Sequence, residues 1–92
     1  MNTGTDIEFV GDHEYLVQIT LDDDIITLRA YADPEVVAHI GAAEDHIVAA
    51  TISYLTDRQQ PDELPTDLDL QDVAAAYDDY VDRLRADLSQ VV

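Results

Sequence analysis

Residues 13–37, HEYLVQITLDDDIITLRAYADPEVV, decide the fold, because two strand-like stretches and a helix start meet there around a run of aspartates. Tyr15, Val17, Ile19 and Leu21 alternate with Glu14, Gln18 and Thr20. Successive strand side chains point to opposite faces, so this rhythm predicts a half-buried strand. The next stretch repeats it, with Ile26, Leu28 and Ala30 on one face and Thr27, Arg29 and Tyr31 on the other. The Asp22–Asp24 run between them predicts a hairpin turn, since Asp tolerates turn conformations. Parity constrains that turn. An even number of loop residues puts Tyr15, Val17 and Ile19 on the face of Ile26, Leu28 and Ala30. An odd number sets Val17 against Arg29 and inverts the strand's faces, so the even loop is favoured.

Working outward, residues 6–10, DIEFV, predict a further short strand after a frayed start at 1–5. A two-residue turn at Gly11-Asp12 joins it to the next strand, giving an antiparallel meander over 6–31. That register places Ile7, Phe9, Leu16, Ile25 and Tyr31 on the face away from the core. They form a candidate apolar interface, either for a partner or for a dimer. The alternative is that the first strand twists away, or that the loop around Pro61 covers the patch.

On the other side, Asp33-Pro34 predicts a helix start, with Asp33 as N-cap, Pro34 in the first turn and Glu35 near the positive end of the dipole. Val36, Val37, Ile40, Ala43, Ile47, Val48, Thr51, Tyr54 and Leu55 share one side at about 100° per residue, predicting a helix over 34–57. Residues 58–68 are polar and acidic, with Pro61 and Pro65, and predict a loop. Leu70, Val73, Tyr77, Tyr80, Val81, Leu84 and Leu88 then recur at three and four, predicting a second helix over 69–90. Asp79–Arg83 and Asp82–Arg85 are spaced to support it. The expected architecture is a single two-layer α+β domain, a three-stranded antiparallel meander covered on one face by two amphipathic helices in the order β-β-β-α-α.

The chain has 92 residues and 47% apolar composition, enough for one small core. It has no cysteine, which excludes disulfides and thiolate metal sites. No basic or apolar leader pattern opens the chain and no apolar run is long enough to span a membrane. The expected location is cytoplasmic. Formal net charge is −17, and the cations are Arg29, Arg58, Arg83 and Arg85 alone. Such a chain repels nucleic acid and anionic membranes and attracts basic proteins, most strongly at low salt.

No motif for chemistry stands out. Glu35, His39 and His46 share a helix stripe, but His39 and His46 lie about 10.5 Å apart along the axis, too far for one zinc ion. The Asp67–Asp72 run lacks the glycine and glutamate of a calcium loop. Ser53 and Ser89 have no matching His and Asp, and three glycines do not make a phosphate loop. Glu44 falls within an apolar stripe. It needs an arginine or tyrosine partner, or a place at the sheet's edge where it reaches water.

Three function classes remain. The first is a non-catalytic protein, without cofactor or metal, that binds a basic protein as a monomer or weak homodimer. Its candidate acidic face is Asp72, Asp78, Asp79, Asp82 and Asp87. A sharper form is a nucleic-acid mimic in which these carboxylates and those of the 57–69 loop stand in for phosphates, which requires rows at a spacing near DNA's, about one charge per 1.7 Å of axis. In the second, the acidity is adaptation to a salt-rich cytoplasm and says nothing of partners. The third, a small enzyme or ligand-binding protein with a site near Glu44, Tyr54 or Tyr77, ranks last, because a deep pocket consumes the core of so small a domain.

Overall fold

The computed structural model describes residues 3–21 and 24–88. Strands β1 (Thr3–Gly11), β2 (Glu14–Leu21) and β3 (Asp24–Tyr31) lead into helices α1 (Pro34–Ile40) and α2 (Glu44–Thr56). A 3-10 turn at Pro61–Glu63, strand β4 (Asp67–Asp69) and helices α3 (Leu70–Ala76) and α4 (Tyr80–Leu88) complete the chain. The α+β class stands. The sheet has four strands in the order β1-β2-β3-β4.

The β2–β3 register is the one parity favours. Tyr15 pairs with Ala30, Val17 with Leu28 and Ile19 with Ile26, and two residues separate the paired Leu21 and Asp24. The conformation of Asp22-Asp23 lies outside the described residues. Val17, Ile19, Leu28 and Ala30 are all buried on this inner face. Burying each large aliphatic side chain stabilises the fold by about 1.5–3 kcal/mol. That is ample reason for the register not to slip by one.

The β1–β2 register departs from expectation. The turn residues are Asp12 and His13, with φ of 50° and 65°, the positive values a primed hairpin turn needs at both centres. A bulge between Phe9 and Gly11 leaves Val10 without a partner on β2 and moves the pairing by one residue. Ile7 therefore pairs with Val17, and Phe9 with Tyr15, on the inner face. Ile7 packs against the core edge, and the Phe9 ring lies 5.3 Å from Tyr15. Of the five residues expected on the open face, Leu16, Ile25 and Tyr31 are there and Ile7 and Phe9 are not. The strand also begins at Thr3, inside the stretch expected to fray.

Both long helices are broken. α1 starts as expected, with the Asp33 carboxylate accepting from the Glu35 and Val36 amides at 2.9 and 3.3 Å. It ends at Gly41, whose φ of 77° is a left-handed stop that favours glycine. The chain restarts at Ala43, whose carbonyl accepts from the Ile47 amide. Glu44 and Asp45 then sit in the first turn of α2, where the helix dipole favours negative charge. Restarting the helix also brings Ile52, absent from the predicted stripe, into the core, and leaves Ala43 exposed. The second stretch breaks at Tyr77, which is extended at φ −125° and ψ 110°. It resumes when the Asp79 carbonyl accepts from the Arg83 amide.

The stretch 58–68 is not only a loop. Leu64 and Leu68 are buried, and Asp67–Asp69 run parallel to β3 with Arg29 opposite Asp67 and Tyr31 opposite Asp69. The Arg29 amide donates to the Thr66 carbonyl at 2.7 Å. Asp69 then caps α3 by accepting from the Gln71 amide. The helices close over the inner face around Ile47, Val48, Leu55, Leu70, Tyr80 and Leu84, each no more than 2% exposed. No helix among the described residues is long and apolar enough to cross a membrane.

Candidate interaction surface

The buried polar groups of the core pair with one another. Thr51 and Tyr80 share a hydrogen bond of 2.6 Å in the core, and the Thr51 hydroxyl also donates to the Ile47 carbonyl. Burial pushes the Tyr80 phenol up to about 12, so it stays a neutral donor. Both hydroxyls are satisfied internally, and no buried side-chain N or O atom among the described residues lacks a partner.

Two tyrosine–carboxylate pairs lie at the margins of the helical layer. The Tyr15 hydroxyl donates to Glu44 Oε1 at 2.8 Å, and His13 Nδ1 lies 2.8 Å from Glu44 Oε2. Glu44 thus sits at the edge with a tyrosine partner, its side chain 24% exposed. Burial, then the bond to Glu44, raises the Tyr15 phenol to about 12. Tyr15 is a fixed donor and not a base. The Tyr54 hydroxyl donates to Asp79 at 2.6 Å, with the Arg58 guanidinium stacked 3.6 Å from the Tyr54 ring centroid. Burial, then the bond to Asp79, raises the Tyr54 phenol, and the same bond holds the Asp79 carboxyl below its ordinary value. A depression lined by Ala50, Ser53, Tyr54, Asp57, Arg58, Arg83 and Asp87 lies beside the second pair. No group of three or more potential metal ligands occurs among the described residues, and His39 and His46 are both exposed.

The five acids expected to form one face are divided. Asp78 and Asp79 occupy the turn between α3 and α4. Asp79 faces Arg58, Asp82 faces Arg85 and Asp87 faces Arg83, each at 3.7 Å. These are loose, exposed pairs of small energetic weight, but they offset the local charge. The Asp79–Arg83 pairing suggested by spacing gives way to Arg83–Asp87, because Asp79 lies outside the helix.

Asp72 belongs elsewhere. It borders a shallow depression at the β3–β4 side of the open sheet face, together with Glu14, Arg29, Tyr31, Asp67 and Asp69. Each member has a structural reason to be there. Glu14 and Tyr31 are cross-strand partners, as are Tyr31 and Asp69, and Arg29 and Asp67. Direct partners share a face. Asp72 stands in the first turn of α3, next to β4. The depression therefore sets four carboxylates around one aromatic ring and one guanidinium. Arg29 makes no ion pair among the described residues. Sequence reasoning found Tyr31 and Asp72 separately and counted Asp67 and Asp69 only among the acids of the 57–69 loop. It missed Glu14 and the grouping itself, because only the β3–β4 pairing assembles them.

Comparison with known proteins yields no matching family model, no matching curated protein and no matching solved structure.

Proposed function

We propose that this chain is a non-catalytic interaction protein that binds a basic protein through the open face of its sheet. The observation that carries the reading is the Tyr31 depression. Glu14, Asp67, Asp69 and Asp72 surround an aromatic side chain on a face where Leu16 and Ile25 are not covered by a helix. An aromatic face ringed by carboxylates suits an arginine or lysine side chain, which gains cation–π and ionic contacts together. The charge of −17 steers such a partner from a distance. The surplus of carboxylates over Arg29 leaves the depression anionic after its internal cation is counted.

Titration of the isotopically labelled protein with an oligo-arginine peptide tests this. Amide shifts are expected to concentrate on Tyr31, Asp67–Asp69 and Asp72, and to vanish in the Asp67→Lys/Asp72→Lys variant. They should also fade near 1 M salt, where the screening length is about 3 Å. Shifts spread evenly over α4 and the turn before it would overturn the reading. A mimic of nucleic acid would extend its response there, onto Asp78, Asp79, Asp82 and Asp87.

A further inference from the structure

Strand β1 is an outer strand of the sheet, nine residues long, with one side of its backbone unpaired. No backbone hydrogen bond among the described residues links it to anything but β2. Exposed edges of this length invite another strand, and proteins usually blunt them with charged side chains, lysine above all, with proline or with brevity. β1 has neither lysine nor proline, and its bulge lies only at the Gly11 end. The opposite edge contrasts with it, since β4 has three residues and runs straight into α3.

The two side-chain rows of β1 differ in chemistry. The outer-face row presents Asp6 and Glu8, both exposed. The inner-face row presents Thr5, Ile7 and Phe9, and Phe9 is 60% exposed despite its ring contact with Tyr15. A strand added here would meet carboxylates with every second side chain and apolar surface with those between.

We infer that the β1 edge accepts an extended segment of the basic partner, by strand addition, in which Lys or Arg alternates with apolar residues. This rests on the reading of a basic partner given above and adds where and in what conformation part of it binds. Charge selects this occupant over a second copy of the chain. Two β1 edges paired antiparallel would bring Asp6 and Glu8 against each other, and like charges opposite one another destabilise a sheet. Main-chain hydrogen bonds supply affinity in strand addition, and the alternate side chains supply selectivity.

The test uses a synthetic peptide of alternating lysine and valine and the same peptide N-methylated at every second residue, which removes donors along one edge. The unmethylated peptide is expected to shift the amides of Thr5 to Phe9, and N-methylation to weaken binding roughly tenfold or more through the lost backbone bonds. Asp6→Lys/Glu8→Lys is expected to weaken it comparably, while Asp78→Lys/Asp82→Lys, with the same change of charge, leaves it in place. Equal binding of both peptides, or shifts confined to Tyr31 and Asp67–Asp72, would refute strand addition and leave the Tyr31 depression standing. Self-association that Asp6→Lys/Glu8→Lys abolishes would make a second copy the occupant and also refute it. If the depression fails its own oligo-arginine test while the edge still discriminates the two peptides, the error lies in the choice of depression.

Discussion

The Tyr15–Glu44 and Tyr54–Asp79 pairs repeat one arrangement at two places. Each broken amphipathic stretch resumes at a carboxylate, Glu44 at the start of α2 and Asp79 just before α4. Each carboxylate accepts from a buried tyrosine hydroxyl, and each has a nitrogen base beside it. The surroundings differ. Glu44 is largely covered and bonded on both oxygens, whereas Asp79 is 63% exposed and its arginine is 3.7 Å away. The Tyr54 ring, by contrast, carries more packing, against Tyr77, Tyr80 and Arg58. At the first place the hydroxyl matters most; at the second, the ring does.

Substitutions can break that distinction. Tyr54→Ala is expected to cost the most, about 3–5 kcal/mol, the usual range for deleting a buried aromatic ring. Urea unfolding measures it. Tyr15→Phe removes only a donor and is expected to cost about 1–2 kcal/mol, because it withdraws a hydrogen bond from a partly buried carboxylate. Tyr54→Phe should cost less than Tyr15→Phe, since water replaces the donor at exposed Asp79. The reverse order would end the comparison.

Titration sharpens it further. The Tyr15 phenol rises from 10.0 to about 12 on folding, so its contribution is fully present below pH 10.0 and is lost as pH climbs through about 12. Tyr15→Phe is therefore expected to make the alkaline loss of stability less steep, followed by circular dichroism. Asp79 shifts the other way. Its contribution is present above 3.8 and is lost as pH falls through its lowered folded value. Asp79→Asn should flatten the acid limb of the stability curve slightly. The smallest effect is expected for Arg58→Lys, about 0.5 kcal/mol from the lost planar stacking on Tyr54.

The two breaks also explain what could be foreseen from the amino acids. The pairing of β2 with β3 and the helix start at Asp33-Pro34 were legible, because each rests on local periodicity or on one capping side chain. Gly41 was a visible stop signal, yet Ile40 and Ile47 are seven apart, so the apolar stripe continues across the break and hides it. The second break has no glycine or proline. It follows from tertiary demands, as Tyr80 enters the core and Asp79 meets Tyr54. Val10 shifted the first strand by one residue through a bulge that ends at Gly11, whose φ is 115°, a glycine that the sequence pattern places in the turn. β4 was too short, at three residues, to show alternation, and the depression it completes was therefore dispersed in the sequence over Glu14, Tyr31, Asp67, Asp69 and Asp72.

The parallel return of β4 to β3 orders events during folding. The meander can zip from neighbouring residues alone, but β4 has no place to dock until the chain from Ala32 to Thr66 has been laid across the sheet. The bond from the Arg29 amide to the Thr66 carbonyl is therefore expected to close late and open early, and its hydrogen exchange should outpace that of Val17 or Leu28. Cutting the backbone near Gln59 would release that bond from its tether while leaving the hairpins intact.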